Sequence, residues 1–210
     1  MHFRMMEVKM KNRRKKGSIC ISVGLVLIIA AFVLAGYNLW DEARAGKESL
    51  EIVEDLIEEI PKSQEKMTDR ALYEEYPEME MPTVLIDGDR YVGVLEIPVL
   101  DMELPIMESW SYANLKKAPC RYDGSVYSKD MVIAGHNYRS HFGALKKLTQ
   151  RDEVFFIDVD GNEFIYEVAE VEVLAGTAVE EMKSGEWDLT LFTCTYDGRS
   201  RTTVRLIMKD

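Results

Sequence analysis

A cysteine and an arginine stand at the ends of two strand-like segments, where their side chains could do acyl-transfer chemistry. Cys194 ends the β-rich segment Leu189–Thr193, and Arg201 precedes the next one, Thr202–Met208. The polar turn between the segments contains an Asp-Gly pair, which is typical of tight turns. If the strands are neighbours, a thiolate can attack a carbonyl carbon while the guanidinium stabilises the charge that develops. The alternative is that Cys194 is a small hydrophobic residue at a sheet edge.

Such chemistry also needs a proton carrier, and the chain has three histidines. His136 comes directly after the apolar run Met131–Gly135, where a short strand would present a side chain at the rim of a sheet. His141 lies in polar sequence five residues later and is predicted to be a solvated loop residue. His2 belongs to a basic N-terminal tail. His136 is therefore the candidate acid or base that would work with Cys194.

Three short segments resemble the signature segments of the sortases, the membrane-anchored cysteine transpeptidases of Gram-positive bacteria. They are Ile133–His136 (Ile-Ala-Gly-His), Thr190–Cys194 (Thr-Leu-Phe-Thr-Cys) and Arg201–Arg205 (Arg-Thr-Thr-Val-Arg). The similarity extends from about Tyr91 to the C-terminus. It implies a mainly β fold, namely a closed eight-stranded β-barrel with short helices, preceded by a transmembrane helix and a helical stalk. It also implies a substrate with a C-terminal sorting signal of the Leu-Pro-x-Thr-Gly (LPxTG) type.

The resemblance implies a role for each residue of the site. Cys194 is expected to cleave the sorting signal between Thr and Gly through a thioacyl intermediate. His136 is expected to act as general acid, and Arg201 to stabilise the oxyanion and orient the peptide. Thr193 is expected to form part of the pocket wall, and Asn137 to orient the imidazole or line the groove.

Two further arginines lie close to Arg201 and remain alternatives for its role. Arg205 is four residues further along the same predicted strand and on the same face, and Arg199 falls in the turn. We rank Arg201 first, Arg205 second and Arg199 third.

The cysteines and acids allow a free thiol and give no metal site. Cys20 lies in an apolar segment, so only Cys120 and Cys194 could pair, and we expect both to be reduced or Cys120 to be buried. No cluster has zinc-ligand spacing. No cofactor is predicted, although the resemblance leaves calcium open at acids such as Asp152–Glu153 or Glu170–Glu172.

The charge of the chain is divided between a basic tail and an acidic body. Residues 1–16 hold seven Lys/Arg and one acid, which leaves 19 basic and 36 acidic residues for the rest. A body this acidic repels nucleic acid. Residues 17–40 contain no charge and are long enough to cross a bilayer core of about 30 Å. Because the basic residues precede this segment, the N-terminus is predicted to be cytoplasmic and the catalytic domain extracellular. A cleaved signal peptide is the alternative.

The predicted domains follow from these patterns. Residues 1–16 are a cytoplasmic tail, 17–40 a single-pass signal anchor, 41–82 a helical stalk and acidic linker, and 83–210 the catalytic barrel. Helical spacing of apolar residues predicts the stalk helix over 41–66, until Pro61 interrupts it. In the predicted strand Glu163–Leu174 the alternation changes phase, which predicts a β-bulge near Ala169-Glu170.

The partners implied by the resemblance are surface proteins that carry the sorting signal, a peptidoglycan precursor or other amine acceptor, and membrane lipid. The lack of an Asp-Pro-aromatic lid sequence and of a second apolar span favours a monofunctional anchoring type over a pilus-polymerising one. Two functions of other classes stay open. One is a membrane-anchored cysteine peptidase or acyl hydrolase, and the other is a non-catalytic extracellular binding barrel.

Overall fold

The computed structural model describes residues 2–61 and 72–209, which divide into two units, Met1–Asp41 and Glu42–Asp210. Helix α1 runs from His2 to Glu59, so no separate stalk helix begins at Asp41. The helix ends two residues before Pro61, whose ring and missing N–H do not fit a helix interior. The part of the predicted stalk and linker at 62–71 lies outside the described residues.

Nine strands form one sheet in the second unit. They are β1 (Val84–Ile86), β2 (Asp89–Ile97), β3 (Met102–Met107), β4 (Cys120–Asp123), β5 (Met131–Gly135), β6 (Glu153–Asp158), β7 (Glu163–Ala175), β8 (Leu189–Cys194) and β9 (Ser200–Met208). The order is β1-β2-β3-β4-β5-β8-β9-β7-β6, and β2 also pairs with β6. The pairing of β2 with β6 closes a barrel of the eight strands β2–β9. Strand β1 pairs with β2 and is not one of these eight strands. This confirms the predicted closed eight-stranded barrel.

Most neighbouring strands are antiparallel, and two pairs, β3 with β4 and β5 with β8, are parallel. The predicted bulge is present, because the register of β7 against β9 shifts between Val168 and Glu170. Strand β4 was not predicted, since its sequence Cys-Arg-Tyr-Asp shows no apolar alternation. The hairpin of β1 and β2 was also missed, although an Asp-Gly pair at 87–88 is a strong signal for it.

Short helices precede the first strand and connect later ones. They are α2 (Leu72–Glu75), α3 (Tyr112–Leu115) and α4 (Val179–Lys183), with 3₁₀ turns at Pro98–Leu100 and Phe142–Lys147. Ser111 caps α3, since its side chain accepts a hydrogen bond from the backbone N–H of Asn114. Helix α4 lies in the predicted connector 175–186 and becomes part of the site described below.

Two groups of apolar side chains hold the second unit together. The barrel interior is filled by residues such as Leu95, Ile133, Phe156, Tyr166 and Leu191, all fully buried. Each such aliphatic or aromatic side chain stabilises the fold by roughly 1.5–3 kcal/mol when it leaves water. A smaller cluster joins Val53 and Leu56 of α1 to the outside of the barrel, where they pack with residues of β2, β3 and β4. The segment of α1 after Asp41 is therefore bound to the barrel by apolar contact.

Candidate active site

The strand register brings Cys194 and Arg201 together. Cys194 is the last residue of β8, and its direct partner across the antiparallel pair with β9 is Arg201. Residues directly opposite each other in such a pair have side chains on the same face, with Cβ atoms about 4.5–5.5 Å apart. Cys194 is exposed and reduced. The thiol and the guanidinium therefore start from adjacent positions on one face at the end of the sheet.

The parallel pair of β5 and β8 places His136 at the same end. Gly135, the last residue of β5, pairs with Thr193 of β8, so the two chains leave the sheet at the same level. His136 follows Gly135 as Cys194 follows Thr193, and neighbouring strands lie about 4.8 Å apart. The backbone N–H of Asn137 donates to Nδ1 of His136 at 3.0 Å, and the His136 ring stacks on Tyr138 with centroids 4.1 Å apart. His136 and Cys194 therefore leave the sheet at the same end and at the same level.

Gly135 is required at the end of β5 by a close approach. A Cβ at this position would lie 2.4 Å from the ring of Phe142, which is fully buried. Any larger residue would push Phe142 away and alter the path of the chain toward His136. The Gly-His pair therefore has a packing reason as well as a chemical one.

The Arg201 side chain reaches the turn that joins β8 and β9. Its Nη1 donates to the carbonyl oxygens of Gly198 at 3.2 Å and Ser200 at 3.0 Å. A guanidinium has five N–H donors. The hydrogens on Nε and Nη2 make no hydrogen bond to the part of the chain that the structure describes, so they are available to a ligand at the rim.

A cavity of about 220 Å³ opens beside the thiol and the guanidinium, both of which line it. Four aromatic residues form one continuous wall in the order Tyr112, Trp110, Tyr122 and Phe192, with successive ring centroids 5.1, 5.8 and 5.3 Å apart. Phe192 is two residues before Cys194 on β8 and so shares its face. Helix α4 supplies the opposite side through Val179 and Met182. This is a mainly apolar groove that ends at a thiol and a cation.

Neither predicted substrate-binding residue lies in this cavity wall. Thr193 is 3% exposed, and its Oγ1 has no hydrogen-bond partner among the described residues. Alternation along β8 directs it to the face opposite Cys194. Asn137 is half-buried and touches His136 through its backbone N–H rather than its side chain. The aromatic wall was not predicted, because its members come from three separate segments.

The second cysteine and the third histidine are buried. Cys120 begins β4, is fully buried, and burial raises the pKa of its thiol to about 12. The expectation of free cysteines with Cys120 buried is confirmed. The prediction that His141 is solvated is wrong, because its side chain is fully buried. Burial, and then the neighbouring His136, lower the pKa of His141 to about 4, so His141 is neutral near pH 7.

Arg205 is also enclosed and has a different task from Arg201. It is 3% exposed, and its Nε donates to Glu172 Oε1 at 2.7 Å. Its remaining donors bind the carbonyl oxygens of Glu181 and Met182 at 2.7 and 2.9 Å and Thr190 Oγ1 at 3.1 Å. Since Glu181 and Met182 belong to α4, Arg205 fixes one wall of the cavity to the barrel. All its contacts are internal, and of the three candidate arginines only Arg201 lines the cavity; Arg199 and Arg205 do not.

The acids that were considered for calcium are engaged in other contacts. Glu153 pairs with Lys209 at 2.5 Å, and Glu172 pairs with Arg205. Asp152 accepts hydrogen bonds from the backbone and side chain of Thr149. Within residues 2–61 and 72–209, no group of three or more His, Cys, Asp or Glu side chains is arranged to hold a metal ion.

Comparison with known families gives one matching domain model. A sortase domain matches residues 95–209, which cover β4 to β9 and all three rim residues. Sortase A of Bacillus anthracis is 25% identical over 179 residues, which are 82% of this chain and 85% of that protein.

Solved structures with the same fold include two from Clostridium perfringens. A sortase D5 transpeptidase aligns with a TM-score of 0.57 at 19% identity, covering 78% of this chain and 99% of that one. A sortase C with the C-terminal cell wall sorting motif aligns with a TM-score of 0.53 at 23% identity, covering 76% of this chain and 90% of that one. The barrel is thus the fold of these proteins.

Proposed function

Because this chain belongs to the sortase family of cysteine transpeptidases, we propose that it cleaves an LPxTG-like C-terminal sorting signal between Thr and Gly and joins the shortened protein to a cell-wall amine. The observation that carries the proposal is the register of β5, β8 and β9, which supports a shared rim position for His136, Cys194 and Arg201. An apolar cavity leads to that rim. A sorting signal is the substrate class on which this family acts.

The chemistry proceeds in two halves. The Cys194 thiolate attacks the Thr carbonyl carbon, and Arg201 donates hydrogen bonds to the oxyanion that forms. The C–N bond to Gly then breaks, and the His136 imidazolium gives its proton to the departing amine. In the second half an amine attacks the thioester and gives a proton to the His136 imidazole. The Cys194 sulfur leaves as thiolate, which restores the starting state.

The cavity favours an extended, apolar peptide upstream of the cleaved bond. Its aromatic wall, which runs through Trp110, Tyr122 and Phe192, offers flat surfaces for Leu and Pro side chains. Arg201 at the end of the groove provides donors for the backbone carbonyl of the Thr residue. We assign to Thr193 and Asn137 the lesser role of shaping the rim from beneath and beside it.

Sortases are membrane-anchored, and this chain has one segment that fits an anchor. Within the described residues, the Cys20–Glu59 part of α1 contains an apolar stretch long enough to cross a membrane. We assign residues 1–16 to the cytoplasm, 17–40 to the membrane, 41–82 to a stalk and linker, and 83–210 to the extracellular catalytic barrel. The acceptor amine is then a peptidoglycan precursor on the outer face of the membrane.

The test is to incubate the full chain with an LPxTG peptide and to measure its intact mass. We expect a thioester adduct on Cys194 that accumulates without an amine and disappears when a glycine-type amine is added, with the joined peptide as product. Product that is hydrolysed equally with and without the amine would favour the peptidase alternative. An adduct that also forms on Cys194→Ala would contradict the assignment of the nucleophile.

A further inference from the structure

The loop that carries His136 rests on the N-terminal helix. We call residues 136–141 the histidine loop and residues 42–59 of α1 the docking segment. Residues of both belong to the second unit of the structure. The contacts between them span about 90 to 100 residues of sequence, so they depend on the folded arrangement rather than on local chain geometry.

One end of the docking segment holds the backbone of the loop. Glu42 Oε1 accepts a hydrogen bond from the N–H of Arg139 at 2.7 Å, and Ser140 Oγ donates to the carbonyl oxygen of Glu42 at 3.3 Å. One turn later, Gly46 faces the side chain of Ser140. A Cβ added to Gly46 would lie 2.8 Å from Ser140 Cβ, so only glycine allows the helix and the loop this approach.

A buried pair of side chains, Ser49 and His141, fixes the last residue of the loop. Ser49 Oγ lies 3.2 Å from His141 Nε2, and both side chains are at most 1% exposed. Ser49 Oγ also donates to the carbonyl oxygen of Lys117 at 3.1 Å. Ser49 Oγ therefore lies within hydrogen-bond distance of both the His141 ring and the Lys117 carbonyl oxygen. One serine thus ties the helix, the histidine loop and the segment before β4 together.

Tyr138 connects this buried pair to the rim. Its ring centroid lies 5.5 Å from that of His141, and it stacks almost parallel on His136, with centroids 4.1 Å apart and planes 5° apart. The N–H of His141 also donates to the carbonyl oxygen of Tyr138 at 3.1 Å. The rings of His136, Tyr138 and His141 therefore form one series that ends at Ser49 on the helix.

We propose that Ser49 and His141 are positioning residues that hold the His136 imidazole at the rim through Tyr138, so that the docking segment is part of the working transpeptidase. The role in transfer rests on the function proposed above, whereas the placement of the His136 ring does not. A shift of about 1 Å in a catalytic group can lower a rate by as much as 10²-fold. A helix that fixes the last three residues of the loop, Arg139 to His141, limits such shifts.

Two glycines of α1 give a matched test. Gly46→Ala adds a methyl group against Ser140, whereas Gly36→Ala meets no atom within 4 Å. Alanine is the better helix former, so a helix with no partner at Gly46 would tolerate both changes equally. We expect Gly46→Ala alone to lower kcat for thioester formation, by about tenfold, with KM within about twofold. Equal kcat values for the two variants would overturn the proposal.

Histidine NMR tests the placement without any activity. The chain has three histidines, so their ring Cε1–H signals can be assigned by single substitutions in the full chain in detergent. We expect Ser49→Ala to shift the His136 signal and its titration as well as the His141 signal. The exposed change Glu54→Gln on the same segment should shift neither. An unchanged His136 signal in Ser49→Ala would overturn the proposal even if the wild type forms no thioester.

A milder variant, Glu42→Ala, tests the same proposal if Ser49→Ala does not fold. Glu42 is only half-buried, and Glu42→Ala removes the side-chain acceptor of the Arg139 N–H and no apolar contact. We expect it to move the His136 signal in the same direction as Ser49→Ala and to lower kcat by about threefold. A normal melting temperature together with an unmoved His136 signal in Glu42→Ala would contradict the proposal that the docking segment places the His136 ring.

Discussion

The second unit contains the same three residue types twice, once at the rim of the barrel and once in buried positions. We call the first group the rim set and the second the buried set. The rim set is His136, Cys194 and Arg201, and the buried set is His141, Cys120 and Arg205. The rim set is exposed or half-buried and lies at the ends of β5, β8 and β9. The buried set is at most 3% exposed and is bonded to the protein itself.

The difference shows that position, and not residue type, separates reactivity from stability. Each buried residue has the functional group of its rim counterpart but cannot present it to a substrate. Cys120 donates to the carbonyl oxygen of Ala118, and His141 binds Ser49. Arg205 donates hydrogen bonds to α4, Thr190 and Glu172. Substitutions in the rim set should therefore affect chemistry directly, whereas those in the buried set should affect folding and, at His141, also the position of His136.

The two cysteines should give the largest contrast. Cys194→Ala removes the nucleophile, so thioester formation should fall by more than ~10³-fold, with the melting temperature unchanged. Cys120→Ala leaves a small cavity in the core and should cost about 1 kcal/mol of stability while the thioester still forms. Intact mass with an LPxTG peptide and thermal melting measure the two effects. Loss of the adduct in a folded Cys120→Ala protein would break the distinction between the sets.

The rim set was predictable from sequence because its signals are local. Cys194, Arg201 and His136 each adjoin a short segment with strand character, and the turn and the Gly-His pair lie within a few residues of them. The bulge near Ala169 was predictable for the same reason, since a change in alternation needs no knowledge of partners. The closed barrel came from the resemblance of three such segments to a known family.

The buried set was not fully predictable because burial comes from distant contacts. His141 stands in a polar stretch, and its burial is created by Ser49, which is 92 residues away. Arg205 looked like a second candidate for the rim because alternation puts it on the same face as Arg201. The structure covers it with α4, whose position no local pattern reveals. The aromatic wall was not predicted for the same reason, because its members come from three separate segments, whereas the orientation of Thr193 away from Cys194 follows from alternation along β8.

The two arginines should show opposite effects of similar size. Arg201→Ala should lower kcat by about 10²-fold, because it removes donors from the oxyanion, with little change in stability. Arg205→Met should lower the free energy of unfolding by about 3 kcal/mol, because buried acceptors and Glu172 lose their partner. Urea unfolding of both variants measures the effect on stability, and steady-state kinetics of both variants measures the effect on kcat. A stable, fully folded Arg205→Met protein with the kinetic defect of Arg201→Ala would reverse the assignment.

The two histidines should differ in the pH dependence of stability. Burial lowers the pKa of His141 from 6.5 to about 4 in the folded protein, so the unfolded chain binds more protons between these values. The stabilisation of the fold by neutral His141 is fully present above pH 6.5. It decreases by about 3 kcal/mol as the pH falls toward 4. His141→Gln should flatten this part of the profile, because glutamine does not titrate. His136→Gln should keep most of the pH dependence, because burial contributes more to the pKa shift of His141 than the neighbouring His136 imidazole does. Urea midpoints at pH 4, 5, 6 and 7 measure the slope, and a steep profile that survives in His141→Gln would place the responsible proton elsewhere.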